Sequence, residues 1–574
     1  MKDFWKMLLA VVCGLLLFGF ITFFILSSAI AASVNAAQGG RTVLPRSGVL
    51  AIDLSEFSLA EQQVAMPSIG AAGMTSSVSL MQACAALKTA ADDPGVKFVF
   101  LKTDGNTSGP ASLEELRKAL GEFRATSGKP VVAYIESPST GGYWLASVAD
   151  KVYMTSYQGA NSNLNGVSVQ SLFLKDLLDK LGVNMQLVRH GRYKSAGEMY
   201  TRSEASADNA AQYNAMVKSM WSVMRADIAA SRDISETALD QAVDGLKLCL
   251  PEDFLREHLV DGILTRQELK DRLASLSVTS SFKEVRFIPF PDYVAAKTLP
   301  DYKVRDKVAV IFADGDIVDG SLPQGVAGDR FARIVDAVRE DASVKAVVLR
   351  VNSPGGSVLA SEKIKHELDL LGEEKPLVAS YGNYAASGGY WISNNCSKIF
   401  SDAVTLTGSI GVFGLIPDLS GTARKAGVKA QSFSSNRHGD MMSLMRPFDA
   451  SEYAYMERSI EAIYDKFTTI VSEGRGIDKN RVDEIGQGRV WTGADALGIG
   501  LVDEIGTLSD AIAYAAVAAG LDSKGVRVEE FPAPLTPFEQ VMLMFNSYTS
   551  GNEYVREFSK AQVMARMPYQ VTML

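Results

Sequence analysis

The sequence predicts an α/β protein built from two tandem repeats and preceded by an N-terminal transmembrane helix. Three observations carry that prediction. One is an apolar run near the N terminus, another a self-similarity at an offset of 242 to 248 residues, and the third an alternation of β-branched runs with helix-length amphipathic stretches.

The apolar run comes first. After Met1-Lys2-Asp3-Phe4-Trp5-Lys6 no charge appears until Arg41, and from Met7 to Leu26 only Thr22 is polar. Twenty helical residues rise about 30 Å, the thickness of a bilayer's hydrocarbon core. Ala29-Ile30-Ala31 offers signal-peptidase spacing, but a signal core is usually about 7–15 apolar residues. An uncleaved anchor over residues 1–40 is therefore expected. Lys2 and Lys6 place the N terminus in the cytoplasm and the body on the far side of the inner membrane.

The repeat follows. Val96–Lys102 matches Val344–Arg350, and Lys129-Pro130-Val131-Val132-Ala133 matches Lys375-Pro376-Leu377-Val378-Ala379. Gly141-Gly142-Tyr143-Trp144 matches Gly388-Gly389-Tyr390-Trp391, and Leu259-Val260-Asp261 matches Leu501-Val502-Asp503. Repeats of this length are duplicated domains rather than solenoid units. The first occupies 41–280 and the second 306–530, joined by a Pro-punctuated linker over 281–305. Strand-like Lys307–Ala313, helix-like Asp329–Glu340, strand-like Ala346–Val351, helix-like Leu359–Leu371 and strand-like Leu377–Tyr381 read as βαβ units on a parallel sheet. Over 531–574 the pattern weakens into a Met-containing tail that caps its own domain or packs on a neighbouring subunit.

Composition narrows the function. Of 574 residues, 47% are hydrophobic and 21% charged, so the chain is folded rather than disordered. A net charge of −9 argues against nucleic acid as a partner. Four cysteines without a CxxC pair and four histidines without an H-E-x-x-H motif point to no metal and no cofactor.

The candidate chemistry lies at strand ends. Asn352-Ser353-Pro354-Gly355-Gly356-Ser357 follows a strand, and its glycines can expose backbone N–H groups to a developing oxyanion. Taken alone it is a plain Pro-Gly turn. Ser387, in Ala385-Ala386-Ser387-Gly388-Gly389-Tyr390, stands at the next strand-to-helix turn, where a hydroxyl could be presented but needs a base. His366 sits in a charged helix pattern and is expected in solvent. The repeat suggests a lysine instead. Thr140 falls opposite Ser387, and Asn436–Met441 falls opposite Gly191-Arg192-Tyr193-Lys194-Ser195-Ala196. Each half lacks a different member of one dyad, so Lys194 of the first half could face Ser387 of the second. As a base, Lys194 would have to be neutral, which requires burial of a group that ordinarily keeps its proton to about pH 10.4.

With Thr407-Gly408-Ser409-Ile410-Gly411-Val412 and Gly488-Arg489-Val490-Trp491-Thr492-Gly493, these motifs make the chain resemble the signal peptide peptidase A (protease IV) family in its long, duplicated form. The resemblance covers about residues 45–530 and the anchor. It implies two Clp/crotonase-like repeats and a membrane-anchored serine endopeptidase that degrades remnant signal peptides. Ser387 is then the nucleophile, Lys194 the general base and Ser409 the residue that orients the lysine. Gly355, Gly356 and Gly388 supply the oxyanion N–H groups, and the assembly is a homotetramer. Where the family usually carries Pro-Phe after Ser-Ala-x-Glu, this chain has Met199-Tyr200. Two rival readings are an acyl-CoA enzyme of the same superfold, disfavoured by the anchor, and an inactive membrane scaffold, disfavoured by the complete dyad.

Overall fold

The computed structural model describes residues 14, 44–62, 68–70, 73–159, 162–300, 302–321, 325–522, 526–533 and 562–567. The expected anchor over 1–40 lies outside the described residues apart from Gly14. Among the described residues, no helix is long and apolar enough to cross a membrane.

Each half builds a mainly parallel sheet. The first runs Phe287–Pro289, Gly48–Asp53, Val96–Lys102, Val131–Ile135, Lys151–Thr155, Gly262–Leu264, with every neighbouring pair parallel. The second runs Val490–Thr492, Leu406–Gly408, Leu377–Ala386, Val344–Ser353, Lys307–Asp314, Arg527–Phe531, antiparallel only between its first two members. Continuous runs such as Val-Ala-Val-Ile-Phe-Ala are buried on both faces, as parallel strands between helices must be.

The duplication is visible in its buried polar contacts. Tyr143 donates its hydroxyl to the Leu259 carbonyl, and Tyr390 does the same to Leu501. Asp261 accepts the Val152 N–H at 2.8 Å while Asp503 accepts that of Ile399 at 2.7 Å. Arg232 and Arg475 pair with those same two aspartates.

Two segments differ from the sequence expectation. The stretch 281–305 is not a free linker, because Phe287–Pro289 adds an edge strand to the first sheet and Phe290–Lys297 is a helix. Phe290, Tyr293 and Val294 are buried in the first core, so apolar burial holds this stretch down. Within 531–574, Gln562–Arg566 is a strand of a third sheet.

That third sheet joins the halves. Its order is Val326–Ala327, Ile317–Val318, Gly355–Ser357, Gln562–Arg566, Val412–Asp418, Asn184–His190. Asn184–His190 of the first half pairs antiparallel with Val412–Asp418 of the second over seven residues, with His190 opposite Val412. A buried ion cluster adds a second tie. Arg350 reaches Glu61 at 2.8 Å and Glu115 at 2.7 Å, and also donates to Ser380 and the Tyr381 carbonyl. Its repeat counterpart Lys102 instead pairs with Asp53 in a partly exposed bridge. Arginine suits the buried position because its planar fork can satisfy several acceptors at once.

Candidate active site

The register of the third sheet decides what meets what. Lys194 lies four residues beyond His190 and Ser409 three residues before Val412, so pairing His190 with Val412 delivers both to one place. Ser387 arrives from the next strand over, where Ala385 pairs with Thr407 and Ala386 with Gly408. Lys194, Ser387 and Ser409 are all fully buried.

The lysine Nζ lies 2.7 Å from Ser387 Oγ, 3.0 Å from the Ser409 carbonyl oxygen and 3.0 Å from Ser409 Oγ. Among the described residues no carboxylate is ion-paired with it, and burial pushes its pKa well below the ordinary lysine value. Both serines hold a backbone conformation that side-chain-bearing residues seldom adopt, with φ of 57° at Ser387 and 51° at Ser409. Such conformations cost roughly 1–3 kcal/mol each and persist only where the surroundings enforce them. The Ser387 N–H donates to the Gly408 carbonyl at 2.8 Å, and the Ser409 N–H to that of Arg489 at 2.7 Å.

Several groups fix the lysine from behind. Arg189 donates to the Lys194 carbonyl at 2.9 Å and to Glu198 at 2.9 Å. Burial alone would raise the Glu198 carboxyl, but hydrogen bonds from Ser206 and Arg189 outweigh it and hold the pKa below its usual value. Gln212, on the helix Ala207–Arg232, accepts the Val490 N–H at 2.8 Å and donates to the Tyr193 carbonyl and Ser195 Oγ, each at 3.4 Å. The Tyr193 N–H in turn donates to the Gln487 carbonyl at 2.9 Å. The lysine loop of one half is thereby tied to the 487–490 segment of the other. Gly488 makes the approach possible, since a Cβ there would stand 2.5 Å from Lys194 Cβ.

The glycines expected at the oxyanion site lie on two elements, the helix Gly388–Ser393 and the strand Gly355–Ser357. Gly388 opens the helix that follows Ser387. Gly356 has no room for a side chain, because a Cβ would fall 1.9 Å from the Ile317 carbonyl oxygen. The Gly355 N–H is not free in this state and donates to Ser353 Oγ at 3.2 Å. His366 is exposed, as its charged neighbours suggest. In the first half, the Thr140 hydroxyl that stands where the second half has Ser387 is engaged by the Gly166 carbonyl at 2.8 Å. Nothing in the sequence singled out Gln212 or Arg189, whose partners lie in other elements.

Comparison with known proteins gives this geometry its setting. The sequence pattern of peptidase family S49 matches residues 124–279 and again 369–522, once in each half. The chain belongs to peptidase family S49. A relative from Haemophilus influenzae, "Protease 4", is 34% identical over 89% of this chain and 85% of its own length. "Protease 4" of Salmonella typhi is 37% identical over 77% of this chain and 72% of its own. "Serine protease SPPA, chloroplastic" of Arabidopsis thaliana is 30% identical over 83% and 71%. The protein is thus an α/β, tandem-domain serine-type peptidase of family S49.

Proposed function

We propose that the protein is a membrane-anchored S49 endopeptidase that cuts remnant signal peptides with Ser387 as nucleophile and Lys194 as general base. The observation that carries this reading is the 2.7 Å approach of a fully buried lysine amine to a serine hydroxyl. A neutral amine has two N–H donors and one lone pair. The Ser409 carbonyl can only accept, so it takes one N–H, and Ser409 Oγ takes the other. That leaves the lone pair for the Ser387 O–H. The amine then takes the hydroxyl proton as Ser387 attacks a peptide carbonyl, and returns it to the leaving nitrogen. Ser409 serves as the positioning residue. The negative oxygen that forms is met by N–H groups of Gly388 and the Gly355-Gly356 turn; a charged acceptor outcompetes the long bond that Gly355 makes to Ser353.

The substrate class rests on the apolar surroundings of Ser387, with Ala386, Leu406 and Val490 in one buried cluster, and on the family resemblance. The anchor rests on the apolar run Met7–Leu26, which sets the catalytic body on the extracytoplasmic side of the inner membrane. The homotetramer is carried over from the family resemblance. The test is labelling with a fluorophosphonate probe, which attaches to Ser387 in the wild type. Ser387→Ala and Lys194→Ala should each abolish peptidase activity with folding intact, and the double variant should be no worse than either. Lys194→Ala activity within about tenfold of wild type would remove lysine as the base.

A further inference from the structure

The turn Asn352-Ser353-Pro354-Gly355-Gly356-Ser357 lies against one loop of its own half. That loop, residues 314–319, leaves the strand Lys307–Asp314, whose last residue sits opposite Asn352. Loop and turn meet at both ends and in the middle. At the start, Asn352 Nδ2 donates to the Asp314 carboxylate at 2.8 Å, and the Gly315 N–H donates to the Asn352 carbonyl at 3.0 Å. In the middle, Ile317 pairs in parallel with Gly356, at the approach that leaves Gly356 no room for a side chain. At the end, Ser357 Oγ donates to Asp319 at 2.5 Å, the length of a hydroxyl bond to an ionised carboxylate. Ser357 is also the N-cap of the helix Val358–Glu374, its Oγ accepting the Ala360 N–H at 3.2 Å. One oxygen therefore fixes where the turn stops and the helix begins.

The first half shows the same turn without this brace. When Val96–Lys102 is laid on Val344–Arg350, Gly109 takes the place of Ser357 as the N-cap of the next helix and has no side chain to hold. Asp104 takes the place of Asn352 and accepts the N–H groups of Glu136 and Ser137. Ser55 stands two residues beyond the one facing Lys102, as Asp314 stands beyond the one facing Arg350. It turns back to its own Asp53 at 2.6 Å. The paired side chains thus belong to the half that carries Ser387.

Resting on the dyad reading above, we propose that Asp314 and Asp319 are positioning residues for the oxyanion turn. They hold Asn352 and Ser357 so that the N–H groups between them face the oxygen of the tetrahedral intermediate. A Gly-Gly turn needs such support, because glycine loses more conformational freedom on ordering than any other residue. Gly355 has φ of 100°, and its N–H here donates to Ser353 Oγ. It must swing from that hydroxyl to the oxyanion, and anchored ends confine the change to the turn itself. Donors aimed in advance cost no reorganisation at the moment of reaction. Both aspartates are solvent-exposed, so removing either leaves no buried charge unpaired.

The test uses the full-length chain and two probes, acetyl-Leu-Leu-leucinal and the matching alcohol. Ser387 Oγ adds to the aldehyde carbon, its proton passes to the Lys194 amine, and the aldehyde oxygen becomes the hemiacetal anion that the N–H groups hold. The alcohol forms neither bond nor anion. Asp319→Ala should lower kcat for an apolar peptide about tenfold or more with KM held. It should weaken aldehyde binding by a similar factor and leave alcohol binding unchanged. Asp319→Asn keeps an acceptor for Ser357 and should recover most of both losses, and Asp314→Ala should act in the same direction as Asp319→Ala. A loop that merely stiffened the fold would move the urea midpoint and leave the aldehyde-to-alcohol ratio alone. An Asp319→Ala enzyme with the wild-type ratio, or an Asp319→Asn enzyme as slow as Asp319→Ala, overturns the proposal. Failure of the dyad reading looks different: the wild type would hold aldehyde and alcohol alike, or Ser387→Ala would hold the aldehyde as tightly as the wild type. Either result would leave the brace with no oxyanion to serve.

Discussion

Gly488→Ala tests whether the close approach of the two halves, rather than either half alone, makes the site. An alanine Cβ at this position would stand 2.5 Å from Lys194 Cβ and 2.6 Å from its Cα and N. Carbon atoms in contact sit about 3.5–4.0 Å apart, so the lysine backbone must retreat by about 1 Å or more. Carried to the tip of the side chain, that retreat opens the 2.7 Å contact with Ser387 beyond hydrogen-bonding range. Misplacement of a reacting group by about 1 Å costs on the order of 100-fold in rate. The variant also places a side chain at φ +79°, a strain of about 1–2 kcal/mol. Gly476→Ala supplies the control, since Gly476 has φ +63° and nothing within 4 Å of a Cβ. Gly476→Ala should lose only the backbone strain in urea and keep its activity, whereas Gly488→Ala should lose more stability than that and also kcat/KM by about two orders of magnitude. Equal loss of activity in the two, or a Gly488→Ala enzyme within threefold of wild type, would refute the reasoning.

The remaining predictions concern charge and positioning. The native state holds Lys194 neutral where the unfolded chain is protonated, so the unfolded state binds more protons and stability rises with pH. The rise spans the window from the depressed native pKa to the unfolded value of about 10.4, at up to about 1.4 kcal/mol per pH unit. Lys194→Met should abolish that slope and be the more stable protein at neutral pH in urea titrations at several pH values; a slope identical to wild type would mean the native lysine is charged. Gln212→Leu cuts the link from the lysine loop to Val490, so kcat should fall while KM holds and the rising limb of the pH–rate profile moves. An unchanged pH profile would leave Gln212 a purely structural residue. Arg350→Met leaves Glu61 and Glu115 buried without their cation and should cost about 3–5 kcal/mol in urea unfolding, a result that a loss below about 1 kcal/mol would contradict.

Much of the site was legible in the chain because a duplicated sequence is its own comparison. Where two copies share Gly-Gly-Tyr-Trp and Leu-Val-Asp, they also share the buried tyrosine and aspartate contacts, and where they differ, one half carries Ser387 and the other Lys194, which meet at 2.7 Å. Periodicity gave the central strands, since a run buried on both faces must be apolar throughout. Short edge strands such as Phe287–Pro289 and Gln562–Arg566 carry too few residues to show a period, so in the sequence one reads as linker and the other as tail.

By itself, then, the sequence determined the α/β class, the duplication, the family and the residues that the motifs carry, because these depend on local pattern and on self-similarity. The tertiary structure alone decided that Lys194 meets Ser387. That meeting depends on a single register, His190 against Val412, between strands more than 200 residues apart. It also decided how the lysine is held, because Gln212, Arg189 and Gly488 act through partners that no spacing in the chain predicts. Burial of the amine is likewise a property of the assembled halves, and the depressed pKa follows from it: desolvation acts on a charge only once the surrounding chain has closed over it.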